Sequence, residues 1–280
     1  MASLKEYKPI KLIKAKSKYG RVYLAQRNDN LFVVKEFYFT DYGKLAFEKE
    51  KNIDFSFVPE LVDVFIDNNK GIIIRRFIKH KTLIELCKTS FFTKKNKLIT
   101  KCIKIFIKIL SIVAMLHKKN IIHNDLKPSN ILIENETNSI YLIDFAMSKI
   151  PNIDIGNMPF SLIFSPPEHI FKFWDLITFD TDLYILSLTF WMALNNGKLP
   201  YYHENPEILI NMQLNMPLPI GKLDKQMYKI LNKGAFKTSF RISPRLMEKT
   251  EIYNHIYMDK TKRFSNVYEM QTELAKYLVK

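Results

Sequence analysis

The chain has 280 residues, of which 47% are hydrophobic and 25% charged, a composition typical of a globular protein with a sizeable core. Its two cysteines, Cys87 and Cys102, exclude a disulfide framework and a cysteine-based metal site, and they indicate a reducing compartment. The first residues lack the apolar run of a signal peptide, and the apolar segment 102–116 is interrupted by lysines and too short for a transmembrane segment. We therefore expect a cytoplasmic protein, or one delivered into a host cytoplasm.

The net charge of +15 is unevenly distributed. Eleven lysines and a single acid, Glu85, lie between Lys79 and Lys119. Four of these lysines recur at helical spacing and share one helix face: Lys97, Lys101, Lys104 and Lys108. A solvated face is the simpler interpretation, and an electrostatic patch for an acidic partner, a lipid or a nucleic acid is the alternative. Phe106 is the only aromatic in that series, so nucleic acid is the weaker option.

The first part of the chain is predicted to be rich in strands. Residues 8–36 contain three apolar runs, and Asn28-Asp29-Asn30 marks a hairpin turn between the last two. The spacing of Phe47, Ile53 and Phe57 predicts a helix over 44–57, which Pro59 terminates. Two further strands follow at 61–66 and 71–77. The segment 1–78 is therefore expected to form a small, mostly antiparallel sheet with one helix.

From residue 79 onward the pattern becomes helical. The predicted helices cover 82–87, 97–118, 182–195, 206–212, 223–231 and 265–278. The helix 182–195 is apolar on nearly all sides, as expected for a buried helix. No repeat or low-complexity linker divides the chain. The predicted fold class is thus α+β, a single domain over 1–280 with a sheet-containing lobe (1–78) and a larger helical lobe (79–280).

The sequence HNDLKPSN, from His123 to Asn130, lies between two apolar runs that predict short strands. Asp144 follows another apolar run, in YLIDF. Two carboxylates, Asp125 and Asp144, and the amide of Asn130 are thereby placed on short loops beside strands. Groups of this kind are needed to hold a metal–phosphate complex and to orient a hydroxyl group.

These motifs and their order resemble the eukaryotic-type serine/threonine protein kinase family over nearly the whole chain. HNDLKPSN resembles the catalytic loop, which implies that Asp125 accepts or orients the proton of the substrate hydroxyl and that Lys127 contacts the transferred phosphate. Asn130 and Asp144, the latter in the DFG-like Asp144-Phe145-Ala146, are then the Mg²⁺ ligands. Lys35, after the strand Phe32-Val33-Val34, resembles the lysine that holds the phosphates of ATP.

The resemblance also implies the remaining contacts with ATP. A carboxylate on the helix should orient Lys35; Glu50 is our assignment, and Glu48 is the close alternative. Phe77 and Ile78 are expected to present backbone groups to adenine. The other implied nucleotide-binding residues are Ala15, Ser17 and Gly20 in the phosphate-covering loop, with Val22, Val33 and Leu132 packing on the adenine.

Three distal features favour a protein kinase over a kinase of small molecules. Ser165-Pro166-Pro167-Glu168 resembles the Ala-Pro-Glu that ends the activation segment, and Arg263 matches the arginine that pairs with its glutamate. Asp182 matches the buried aspartate that braces the backbone of the catalytic loop. The resemblance therefore predicts a Glu168–Arg263 ion pair and contacts from Asp182 to the loop.

Three positions depart from the family pattern. The phosphate-covering loop, AKSKYGRV, keeps only Gly20 of three glycines, which predicts weaker nucleotide affinity or a stiffer loop. Asn124 replaces the arginine that receives a phosphorylated activation-segment residue, so control by such phosphorylation is not expected. Ala146 replaces the glycine of DFG, and this change biases the conformation of that segment.

The sequence therefore predicts an ATP- and Mg²⁺-dependent serine/threonine protein kinase acting on a protein substrate whose identity the sequence does not give. A catalytically weak, scaffolding relative is the first alternative, because of the glycine-poor loop. A kinase of a small molecule or a lipid-linked sugar is the second, suggested by the basic region and the shared loop spacing.

Overall fold

A computed structural model gives the structure of the chain and describes residues 3–14, 19–85, 95–153 and 161–279. Its backbone contacts define two compact units. The first comprises Met1–Lys81 together with Leu132–Met158, and the second comprises Thr82–Ile131 together with Pro159–Lys280. This division differs from the expected boundary at residue 78, because Leu132–Met158 belongs with the N-terminal sheet although it lies far along the chain.

The first unit is built on a five-stranded antiparallel sheet of order β1-β2-β3-β5-β4. Its strands are β1 (Lys8–Lys14), β2 (Gly20–Arg27), β3 (Asn30–Tyr38), β4 (Leu61–Asp67) and β5 (Lys70–Arg76). The predicted strands and the hairpin turn at Asn28 and Asp29 are confirmed, and Asn28 has the positive φ of 54° that such turns favour. On the face of the sheet that holds Tyr23 and Val34, alternate residues of the central strands form a buried cluster.

The helix of the first unit, α1 (Asp41–Lys51), is shorter than predicted and starts earlier. Thr40 caps its N-terminus by accepting a hydrogen bond from the Gly43 N–H at 3.2 Å. At the other end the Asn52 side chain donates to the Glu48 carbonyl at 2.8 Å. The predicted extension to residue 57 is wrong: Ile53 and Phe57 are buried, but in the connection to β4. The apolar residues buried in this irregular connection recur at a spacing that resembles helical periodicity.

A smaller sheet contains β6 (His80–Thr82), β7 (Ile131–Glu134) and β8 (Ile140–Leu142), in the order β6-β7-β8. β7 directly follows the 3₁₀ turn Pro128–Asn130 that ends the HNDLKPSN loop. β8 leads to Asp144, which precedes a second 3₁₀ turn, Phe145–Met147. Of the short strands predicted on either side of the loop, the one that follows it is therefore present as β7.

The second unit is helical. Its helices are α2 (Lys95–Lys118), α3 (Pro167–Ile170), α4 (Phe179–Leu194), α5 (Pro206–Asn215), α6 (Lys225–Gly234), α7 (Lys249–Lys260) and α8 (Val267–Leu278). α4 is almost completely buried, as predicted, and its Phe190 stacks on Phe106 of α2 with ring centroids 3.9 Å apart. α7 was not predicted, because its apolar residues do not form a pronounced amphipathic stripe.

The lysines of α2 point to solvent where the structure describes them. Lys101, Lys104 and Lys108 are exposed, in agreement with a solvated face, and an acidic partner for this region remains a prediction. The predicted helix 82–87 is helical at residues 83–85, and its remaining residues lie outside the described ranges. Within those ranges, no helix is long and apolar enough to cross a lipid bilayer.

Candidate active site

The backbone of the HNDLKPSN loop is fixed by one buried carboxylate on α4. Asp182 accepts hydrogen bonds from the backbone N–H groups of His123 at 3.0 Å and Asn124 at 2.7 Å. The same carboxylate contacts His117 Nε2 at 2.9 Å, and its side chain is completely buried. A charge in this position stabilises the loop because backbone donors and an imidazole satisfy it. Asp182 therefore braces the loop, as the resemblance implied.

Within the loop, Asp125, Lys127 and Asn130 form a compact polar group. Lys127 Nζ lies 2.7 Å from Asp125 Oδ2, and Asn130 Nδ2 donates to the same oxygen and to the Asp125 carbonyl, both at 2.9 Å. The orientation of the Asn130 amide matters. Its nitrogen is used by Asp125, and its oxygen, 3.5 Å from the Ser129 hydroxyl, is of the type that a hard divalent cation accepts as a ligand.

The first unit holds a second polar group around Lys35 of β3. Lys35 Nζ contacts both oxygens of Glu50 on α1, at 2.7 and 2.9 Å, and Asp144 Oδ1 at 3.4 Å. Glu48 is exposed and pairs with Lys51, so the structure selects Glu50 as the partner of Lys35. Burial opposes the charged form of Lys35, but the two carboxylates outweigh it and raise the pKa of the ammonium group.

Asp144 has an unusual backbone conformation that directs its carboxylate. Its φ and ψ are 68° and 69°, in the left-handed region, at the junction of β8 with the 3₁₀ turn. The turn buries Phe145 and packs against α1. Aspartate tolerates this backbone conformation better than most residues, and a non-glycine residue in the left-handed region is a feature common at functional sites.

The implied adenine and phosphate contacts lie in several parts of the first unit. Val22 faces Lys35 across β2 and β3, and Val33 lies two residues before Lys35; both are half-buried. Leu132 on β7 is buried. Ala15 and Ser17 lie outside the described residues.

The backbone groups of Phe77 and Ile78 are not equally accessible to a ligand. The Phe77 N–H donates to the Leu31 carbonyl at 3.0 Å, and the Ile78 carbonyl contacts His80 Nδ1 at 2.6 Å. The Phe77 N–H is therefore occupied, whereas the Ile78 carbonyl retains a second acceptor position. Among the described residues no backbone or side-chain acceptor is found for the Ile78 N–H.

Gly20, the glycine retained from the family pattern, has a structural task at the start of β2. Its φ is 154°, and a Cβ at this position would lie 1.7 Å from the Glu36 carbonyl oxygen. The close approach of β2 to β3 therefore requires a glycine here, independently of any bound phosphate.

A cavity of about 560 Å³ in the first unit lies beside the connection after β5. Phe55, Phe77, Glu134 and Tyr141 are among its lining residues, whereas Lys35, Glu50 and Asp144 are not. The cavity is thus separate from the Lys35 group, but Phe77 and Ile78, the implied adenine contacts, both line it.

The predicted Glu168–Arg263 pair is present in the second unit, inside a larger buried cluster. Arg263 Nη1 and Nη2 contact the two Glu168 oxygens at 2.7 and 3.1 Å. Asp180 and Lys260, which the sequence did not single out, complete the cluster: Lys260 lies 2.8 Å from Asp180 and 3.2 Å from Glu168. The two cations, Arg263 foremost, hold the pKa of the buried Glu168 well below its usual range.

A comparison with protein families matches residues 16–272 to the protein kinase domain. The chain belongs to the protein kinase family. Among curated proteins, the kinase chain is 27% identical over 210 residues to serine/threonine-protein kinase D of Synechocystis, covering 70% of this chain and 39% of that protein. It is 31% identical over 142 residues to a putative serine/threonine-protein kinase of Acanthamoeba polyphaga mimivirus, covering 47% and 50% respectively.

A third relative is a probable serine/threonine-protein kinase of Clostridium acetobutylicum, 26% identical over 183 residues, covering 63% of this chain and 26% of that protein. The chain thus spans half or less of the length of these three relatives. Protein kinase domains as a family use ATP and a divalent metal ion to phosphorylate proteins.

Ala146 and Asn124, two residues that depart from the family pattern, have structural explanations. Ala146 lies inside the 3₁₀ turn Phe145–Met147, and it is absent from the residues with positive φ, so its methyl group fits this conformation. Asn124 is buried with a positive φ of 66°, which asparagine tolerates well. Its Oδ1 lies 2.7 Å from His169 Nε2.

His169 was missed by the sequence prediction, although it directly follows Glu168 of the recognised motif. The side chain is buried, and burial lowers its pKa to about 4. The neutral imidazole therefore donates from Nε2 to the Asn124 amide oxygen. A neutral hydrogen bond thus links the HNDLKPSN loop to α3, at the position where the family pattern has a cation.

Proposed function

We propose that this kinase transfers the γ-phosphate of ATP to serine and threonine hydroxyls of protein substrates, with Mg²⁺ as the divalent ion. The names of the three relatives support the residue class of the acceptor. The observation that carries the proposal is the polar group Asp125, Lys127 and Asn130, held in place by Asp182.

Each side chain has a role that its chemistry favours. Asp125 accepts or orients the proton of the attacking hydroxyl, and Lys127 supplies a positive charge to the transferring phosphoryl group. Lys35, oriented by two hydrogen bonds to Glu50, contacts the phosphates of the nucleotide. Val22, Val33 and Leu132 offer apolar surface to adenine.

The donor set suits Mg²⁺, which prefers oxygen ligands and retains several waters. Asn130 would offer its amide oxygen to the ion, and Asp144 would offer its carboxylate. When bound, Mg²⁺ neutralises the charge of the phosphate oxygens during transfer. Assays in the presence of EDTA, with and without added Mg²⁺, Mn²⁺ or Ca²⁺, determine which ion supports activity.

We also propose that phosphorylation of the activation segment does not control the enzyme. A phosphate group is received by cationic side chains, but Asn124 is neutral and its amide oxygen is already bonded to neutral His169. Ser165 is buried and its hydroxyl donates to the Ser161 carbonyl at 2.9 Å, so it is not exposed to a modifying enzyme. A large increase in turnover after phosphorylation of Ser161 or Ser165 would contradict this proposal.

The test is phosphoryl transfer from radiolabelled ATP to general acceptors such as casein and myelin basic protein. We expect incorporation on serine and threonine with the unmodified chain, a loss of at least about a hundredfold with Asp125→Asn, and no change with Asp29→Asn in the exposed hairpin turn. Incorporation equal to background in all three proteins would refute the enzyme and support a scaffold. Transfer to sugars or lipid extracts, but to no protein, would support the kinase of a small molecule.

A further inference from the structure

Arg75, near the end of β5, is a buried cation that the proposed chemistry leaves unassigned. It is 7% exposed, whereas its neighbour Arg76 is exposed and lies 3.8 Å from Glu60. Burying a guanidinium group is costly unless its donors are satisfied. The two adjacent arginines therefore have different tasks, and the hydrogen bonds of Arg75 indicate what its task is.

The guanidinium of Arg75 donates to backbone carbonyls at the end of α1 and in the connection that follows. Nη2 donates to the Glu50 carbonyl at 3.1 Å and to the Ile53 carbonyl at 2.6 Å. Nη1 donates to the Pro59 carbonyl at 2.8 Å. The last carbonyls of a helix lack intrahelical partners and carry partial negative charge. The Glu50 carbonyl also accepts from the Asn52 and Ile53 N–H groups. Arg75 adds a charged donor that ties this end of α1 to β5, an inner strand of the sheet.

The strand register places Arg75 on the same side of the sheet as Lys35. Lys35 of β3 is opposite Ile73 of β5, and Arg75 lies two residues further along β5. Side chains two residues apart on a strand point to the same face. α1 packs against both β3 and β5. One face of the sheet therefore directs two cations toward α1: Lys35 to the Glu50 carboxylate, and Arg75 to the Glu50 carbonyl.

We propose that Arg75 is a positioning residue for phosphoryl transfer, acting as a clamp that holds the C-terminal turn of α1 so that Glu50 stays bonded to Lys35. This inference rests on the proposed function of Lys35. The planar guanidinium is needed because one group must reach three carbonyls from a single strand position, which a lysine ammonium does not match. The helix ends at Lys51, one residue after Glu50, and such a terminal turn frays readily without an external partner.

The experiment compares Arg75→Met and Arg75→Lys with the matched control Arg76→Met. Misorientation of Lys35 should lower the rate of phosphoryl transfer more than it weakens the binding of ATP. We expect kcat to fall about tenfold or more in both Arg75 variants, while KM for ATP changes by less than about threefold and Arg76→Met matches the unmodified enzyme. A fall in kcat confined to Arg75→Met, with Arg75→Lys fully active, would overturn the clamp, since charge alone would then suffice.

A double-mutant cycle separates positioning from general stability. In a Glu50→Gln background, adding Arg75→Met should lower kcat by less than about threefold, because the residue through which Arg75 acts has already been altered. Full additivity of the two losses would refute the proposal.

Amide hydrogen exchange provides a measurement that does not depend on activity. In Arg75→Met and Arg75→Lys, exchange should accelerate selectively in residues 41–53, and Arg76→Met should leave it unchanged. Equal acceleration throughout the sheet, or none in α1, would overturn the clamp. If the unmodified chain transfers no phosphate, the proposed function fails, and the exchange result alone still decides whether Arg75 holds α1.

Discussion

The neutral hydrogen bond between Asn124 and His169 predicts a specific dependence of stability on pH. His169 has a pKa of about 4 in the folded protein, because burial disfavours the imidazolium, against an ordinary value of 6.5. Between these two values the unfolded chain binds a proton that the folded chain does not. The contribution of His169 is therefore fully present above about pH 6.5 and is lost progressively as the pH falls toward 4.

The interval between 6.5 and about 4, at about 1.4 kcal/mol per pH unit, corresponds to roughly 3–4 kcal/mol of unfolding free energy. The variant His169→Gln removes the titration and can retain the bond, because the glutamine Nε2 occupies nearly the position of the imidazole Nε2 and also donates to Asn124. The unfolding free energy of His169→Gln should therefore lack the decrease between pH 6.5 and about 4 that the titration of His169 causes.

Urea denaturation of both proteins at intervals between pH 4.5 and pH 8 measures the effect. The difference in unfolding free energy between the unmodified protein and His169→Gln should be constant above about pH 7 and should shift in favour of the variant by roughly 1.4 kcal/mol per unit below pH 6. Parallel curves over the whole range would show that His169 ionises normally in the folded protein, and the neutral link to Asn124 would then be wrong.

Two further predictions concern stability. Arg263→Met should lower the unfolding free energy by roughly 3–5 kcal/mol, because it leaves the buried carboxylate of Glu168 without its bidentate partner. Urea denaturation measures this loss beside the exposed control Lys276→Met. A loss no larger than that of the control would contradict the prediction. Gly20→Ala should lower the unfolding free energy by roughly 1–3 kcal/mol, because the added methyl group would collide with the Glu36 carbonyl. A melting temperature as high as that of the control Gln26→Ala, on the same strand, would show instead that β2 adjusts to the methyl group.

Prediction from the sequence succeeded where a pattern is local. The apolar runs predicted β2 and β3, and the strongly apolar segment predicted the buried helix α4. The spacing within HNDLKPSN predicted a compact polar loop, which the structure contains. Prediction failed at the end of α1, because Ile53 and Phe57 are buried without being helical. It also missed α7, whose apolar residues do not form a pronounced amphipathic stripe.

The sequence alone determined which chemical groups this kinase has and in what order: Lys35, Asp125, Asn130 and Asp144, at spacings that a short loop or a strand end fixes. Tertiary structure decided which partners these groups have. Glu50 rather than Glu48 contacts Lys35 because the sheet covers only one side of α1. The hydrogen bonds of Arg75 likewise join positions up to 25 residues apart, and a partner at such a distance depends on packing, which no local pattern encodes.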